Sequence, residues 1–173
     1  GTIPTELATF TSLERLTLFG NQLTGTIMTE FGKLTNLKHL LLHVNMFSGT
    51  LPTELGLLMP ELEVVDMGLN LFTGTIPREV LWPSFSISQN QEDHEDNHDQ
   101  LLQVSSDQYG KIRYLVLNDN QLTGTIPGII GNDAEYHHDH PVNLELKRLR
   151  LQNNYLTGSI PFELWDLPNL QRL

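Results

Sequence analysis

The sequence predicts an α/β solenoid built on a parallel β-sheet, and three observations carry that expectation. A seven-residue phrase, NQLTGTI, stands at 21–27 and returns unchanged at 120–126. Near-copies accompany it: NMFSGTL from Asn45, NLFTGTI from Asn70 and NYLTGSI from Asn154. Around every copy the apolar residues fall into one pattern, L-x-x-L-x-L-x-x-N-x-L-x-G-x-I-P-x-E-L-G-x-L. Its units begin at Leu13, Leu37, Leu62, Ile112, Leu146 and Leu170, giving spacings of 24, 25, 50, 34 and 24 residues. A period near 24 is the mark of stacked supersecondary units rather than of one local element.

Each part of the unit has a physical reason. Leu16 and Leu18 lie two residues apart, so in a short strand they face the same side. One unit cannot bury them. Stacking units at about 4.8 Å builds a parallel sheet over a continuous core. Each leucine buried in this way contributes about 1.5–3 kcal/mol. Asn21, Asn45, Asn70, Asn120 and Asn154 then stand at the edge of that core and are expected to form a structural ladder, each amide bonding backbone of adjacent coils. An unpaired buried amide would cost about 1–3 kcal/mol. Gly25, Gly49, Gly74, Gly124 and Gly158 suit backbone angles that other residues avoid. Pro4, Pro52, Pro77, Pro127 and Pro161 fix the following bend by locking φ, with Met28 standing in that place in the first complete unit.

The pattern is a leucine-rich repeat, and its LTGxIP tail resembles the plant-type subfamily, which includes ectodomains of receptor-like kinases and polygalacturonase-inhibiting proteins. The resemblance covers nearly all of the chain except two stretches. It implies a right-handed superhelix with the parallel sheet on the concave face and short 3-10 or irregular segments on the convex face. It also implies a recognition module that binds a protein, peptide or polysaccharide through the concave face, and an extracellular or cell-surface location.

Residues 1–173 are expected to form a single array. The chain opens on GTIP and closes on LQRL, both inside a unit, and shows no polar capping unit at either end. This predicts a fragment of a longer protein, any membrane attachment then lying outside it. No cysteine is present, which fits either redox compartment. No asparagine is followed two positions on by Ser or Thr, so no N-glycosylation acceptor exists. The net charge of −11 has a location: residues 84–110 and 132–143 hold nine acids and no Lys or Arg, leaving twelve acids against ten bases elsewhere. Without a basic stripe of adequate size, nucleic acid is not expected as a partner.

Those two stretches interrupt the repeat. Residues 84–110 put Ser88, Gln91 and Asp93 where core leucines are due, so an acidic polar insertion is expected rather than a degenerate unit. Residues 132–143 form a second, His- and acid-rich insertion. Together they contain His94, His98, His137, His138 and His140. Imidazoles beside carboxylates suit Zn, Cu or Ni, but no fixed-spacing ligand motif is present, and no metal or cofactor is assigned.

Candidate ligand-binding residues are the variable positions of L-x-x-L-x-L-x-x-N. The prime set is Phe19, His39, Leu41, His43, Asp66, Tyr114, Val116, Arg148, Arg150 and Gln152. Phe19, Leu41, Val64, Tyr114 and Val116 make a broken apolar and aromatic track that turns basic towards the C-terminal end through Lys147, Arg148 and Arg150. Exposed aromatics and arginines are the usual anchors of interfaces, and the basic end suits an acidic peptide or an anionic sugar chain. No catalytic constellation appears: Glu6, Glu30, Glu54, Glu79 and Glu163 recur as scaffold positions. Two other binding roles stay open, a subunit of a larger assembly and a secreted inhibitor. A third reading is ice binding through threonine columns, Thr24, Thr73, Thr123 and Thr157 with Ser48, and Thr26, Thr50, Thr75 and Thr125 with Ser159.

Overall fold

In a computed structural model of the chain, described over residues 1–57, 61–82, 111–128 and 145–173, the repeats coil into an α/β solenoid. The acidic stretch 84–110 and the His-rich stretch 132–143, with their five histidines, lie outside the described residues. Five three-residue strands form one parallel sheet in the order β1 (Arg15–Thr17), β3 (His39–Leu41), β5 (Val64–Asp66), β7 (Tyr114–Val116) and β9 (Arg148–Arg150). The register is that of equivalent positions: Leu16 opposes Leu40, Leu40 opposes Val65, Val65 opposes Leu115 and Leu115 opposes Leu149. These central residues are buried, and the residues on either side of each point away from the core. β7 lies directly against β5 although residues 67–113 separate them in the chain.

A second sheet was not anticipated from the sequence. The segments β2 (Thr24–Gly25), β4 (Met46–Thr50), β6 (Leu71–Gly74) and β8 (Gln121–Leu122) pair in parallel on the other side of the core. Its register is staggered: Thr50 opposes Thr73, not Thr75. Phe47 and Phe72 send their rings inward from this sheet and stack with centroids 6.4 Å apart. The threonine-glycine segments pair because the glycines, all at positive φ, admit a neighbouring coil closely. The return to the next strand runs through 3-10 turns at Thr5–Thr9, Thr29–Lys33 and Phe162–Asp166, or through the one-turn helices α1 (Glu54–Leu57) and α2 (Arg78–Leu81). Phe31, Leu55, Val80 and Leu164 close the core from that side.

The asparagine column stitches coil to coil. Asn70 donates through Nδ2 to the carbonyls of Leu42, Met67 and Gly68 at 3.1, 3.2 and 3.1 Å, and its Oδ1 accepts the Phe47 N–H at 3.0 Å. Asn45, Asn120 and Asn154 repeat this arrangement, with Oδ1 accepting from Leu23, Phe72 and Leu122. Asn21, in the first of these coils, is exposed and donates only to Leu18 and Phe19 in its own turn. Each buried amide therefore satisfies backbone groups of two coils at once, which a turn at the core edge could not otherwise pair.

Candidate concave-face binding site

All ten candidate residues lie on the five-stranded sheet or within two residues of its strands, so they share one face. Register sorts them into columns across the stack. His39, Val64, Tyr114 and Arg148 make one; Leu41, Asp66, Val116 and Arg150 make the next. Beyond the strand ends follow Phe19, His43, Gly68, Asn118 and Gln152, joined by bonds such as Gly20 N–H to the His43 carbonyl and Asp119 N–H to the Gln152 carbonyl. Phe19, Arg150 and Gln152 are exposed, and the remaining candidates are half-buried.

Charges on the rim are mostly consumed in pairs between neighbouring coils. Lys38 Nζ lies 3.2 Å from Glu14, Lys111 Nζ lies 2.6 Å from Glu61, and Arg113 reaches Glu63 and Glu145 at 3.4 and 3.3 Å. Exposed pairs of this kind add only about 0–1 kcal/mol each, so their effect is on the pattern of free charge. Among the described residues, Lys147, Arg148 and Arg150 have no carboxylate partner. The Arg148 guanidinium instead lies over the Tyr114 ring, 5.6 Å from its centroid. The contact is electrostatic attraction to the ring face, and it presents the cation next to an aromatic surface.

At the opposite end, the Phe19 and His43 rings stack with centroids 4.5 Å apart and planes 8° from parallel. Asp66 stands on the far side of His43: its Oδ2 lies 3.3 Å from Nδ1, and its Oδ1 accepts the Gly68 N–H at 3.2 Å. The His43 Nδ1 contact falls outside hydrogen-bonding geometry, which leaves that nitrogen buried without a partner. Residue types and columns were readable in the repeat. The stack and the placement of Asp66 follow from side-chain geometry that the pattern does not encode.

A second feature was not anticipated, although three of its five positions hold Gly, Asp or Asn, which adopt positive φ readily. Gly20, Val44, Leu69, Asp119 and Asn153 occupy one position, just before the ladder asparagine, and all have φ between 54° and 68°. Val44 and Leu69 are exposed there beside exposed Met46 and Leu71. Among the described residues no group of three or more His, Cys, Asp or Glu side chains is placed to hold a metal ion, and no helix is long and apolar enough to cross a membrane.

The Leucine Rich Repeat family model matches residues 12–34, 111–132 and 145–167. No curated protein matches the chain. Solved structures do. The plant peptide hormone receptor RGFR1 in complex with RGF2 is 32% identical over 100% of this chain and 22% of its own, with a TM-score of 0.72. The ectodomain of the Arabidopsis receptor kinase HAESA, in complex with an N-terminally extended IDA peptide hormone ligand, is 27% identical over 100% of this chain and 23% of its own, with a TM-score of 0.74. Pollen Receptor Kinase 3 is 29% identical over 99% of this chain and 65% of its own, with a TM-score of 0.69. The chain thus spans about a fifth of the length of the two peptide-bound receptors.

Proposed function

Since this chain is a leucine-rich-repeat solenoid of the plant type, similar to receptor-kinase ectodomains, we propose that it is a non-catalytic recognition module that takes an extended peptide or protein segment across its concave sheet. The observation that carries this reading is the pole formed by Tyr114, Arg148 and Arg150, where the Arg148 guanidinium lies over the Tyr114 ring, Arg150 stands beside Val116, and neither cation has a carboxylate partner among the described residues. Lys147 adds a fourth polar anchor at the same end. A ligand carboxylate meeting Arg148 would form charge-assisted bonds with a guanidinium already held against Tyr114, so little side-chain freedom is lost on binding. From this pole the track runs back through Val116, Val64 and Leu41, which offer apolar contact to a chain lying across the strands.

The peptide-hormone complexes of two similar receptors support a peptide or protein over a sugar as the ligand. They also favour a cell-surface setting. Selection of a random displayed-peptide library against the purified chain tests the reading. Selected peptides should carry an acidic residue or a free C-terminus, and should protect backbone amides of β5, β7 and β9 from hydrogen exchange. Protection confined to the threonine-rich second sheet would contradict the concave site. Binding of oligogalacturonate in place of any peptide would move the ligand class to polysaccharide.

A further inference from the structure

The apolar track is interrupted by one acid. Register places Leu41 beside Asp66 and Asp66 beside Val116, with Val64 two residues back on the same strand. The Asp66 side chain is one-quarter exposed, and among the described residues no Lys or Arg reaches it. The one side-chain nitrogen near it among the described residues, His43 Nδ1, does not form a hydrogen bond to it. The carboxylate is held in place by the Gly68 N–H and is otherwise presented to whatever lies on the face.

Resting on the concave-face reading above, we infer that Asp66, with the Phe19–His43 stack, forms a subsite for an arginine side chain of the bound peptide. The reason is desolvation. A ligand that follows the track covers Asp66, and a covered carboxylate without a partner is penalised unless the ligand brings a cation to it. A planar guanidinium can address both carboxylate oxygens while they keep their existing contacts, which a point-charge ammonium does less well. The methylene stem of the arginine lies along the exposed rim of the stacked rings, as long cationic side chains do on apolar surface. The gap from Asp66 to Arg150 is two strand steps, about 10 Å, which an extended peptide crosses in about three residues. The preferred ligand therefore carries an arginine about three positions from an acidic group.

Nα-acetyl-arginine amide and its neutral isostere Nα-acetyl-citrulline amide are the probes, titrated into the ¹⁵N-labelled chain. Arginine should shift the Gly68 amide and the His43 ring signals, and citrulline should bind at least ten-fold more weakly. Asp66→Asn, which keeps an oxygen for the Gly68 N–H, should bring arginine down to the citrulline level. Phe19→Ala, at an exposed site, should weaken arginine several-fold without unfolding the chain. Equal binding of the two probes, or shifts centred away from Gly68, would overturn the subsite. Library-selected peptides separate this failure from that of the broader reading. Peptides that lose affinity with Arg148→Ala but not with Asp66→Asn refute the arginine subsite alone. Peptides indifferent to both substitutions refute the concave site itself.

Discussion

The Thr50 methyl lies 2.9 Å from the point where a β-carbon on Gly74 would stand. The same approach recurs between Thr26 and Gly49 at 2.7 Å, Thr75 and Gly124 at 2.8 Å, and Thr125 and Gly158 at 2.9 Å. The threonine-glycine-threonine phrase is thus an interlock between coils: a methyl of one coil fills the space left by the missing side chain of the next.

Gly74→Ala should be costly for two reasons. Its φ is +75°, where an L side chain costs about 1–2 kcal/mol, and the new methyl would overpack against Thr50 by about 1–3 kcal/mol. Urea denaturation should show a loss of about 2–5 kcal/mol. In the Thr50→Ala background the steric part should disappear, a coupling of about 1–3 kcal/mol, leaving the backbone strain of about 1–2 kcal/mol; additive effects would show that the methyl contact is irrelevant.

Much of this architecture was legible because the repeat repeats. The spacing of Leu16, Leu40, Val65, Leu115 and Leu149 fixes a parallel sheet, and the leucines need one core to share. The second sheet was not legible. Its pairing depends on a stagger, Thr50 against Thr73, that no single-coil pattern contains. Equally hidden was the left-handed column. Val44 and Leu69 have no preference for positive φ; the conformation is imposed by Val44 N–H bonding the Gly68 carbonyl and Leu69 N–H bonding that of Asn118. At the candidate site, the columns could be read off the repeat. The selective burial of charge could not, because pairs such as Lys38 with Glu14 depend on rotamers.

Removing a rung of the ladder should cost most where both neighbouring coils are engaged. Asn70→Ala strands the buried Phe47 N–H, while the Leu42, Met67 and Gly68 carbonyls each lose one donor but keep the Asn45 amide, the Asn120 amide and the Val44 N–H, for a loss of about 1–3 kcal/mol. Asn21→Ala, exposed and bonded only within its turn, should cost under about 1 kcal/mol. Thermal and urea unfolding of the two variants side by side would check the ratio. Equal losses would mean that the ladder is not a cooperative element.

Val44 is a β-branched residue at φ +57°, and Asn153 fills the equivalent place three described coils further along. Val44→Asn should therefore stabilise the fold by about 1 kcal/mol, since asparagine tolerates this conformation and the valine side chain is exposed. A fall in melting temperature would show that the valine methyls contribute packing that outweighs the strain.

Hydrogen bonds from Asn118 and then Asn153 hold the Asp119 carboxyl below the usual aspartate range. The folded state thus favours the ionised form. This stabilisation is fully present above the unfolded value, about 3.9, and is lost as pH falls through the lowered folded value. Asp119→Asn, which also suits the positive φ at that position, should flatten the acid limb of a stability–pH curve below about pH 4. An unchanged limb would place the acid sensitivity in other carboxylates.

Recognition by the concave face is tested most directly by measuring the affinity of library-selected peptides for the wild-type chain and for the Tyr114→Ala/Arg148→Ala double variant. Circular dichroism would confirm that the fold survives, as expected for two half-buried side chains outside the core. Interface anchors of this type each contribute about 1–3 kcal/mol, so the dissociation constant should rise by about 30-fold or more. Unchanged affinity in a folded double variant would place ligand recognition elsewhere on the solenoid.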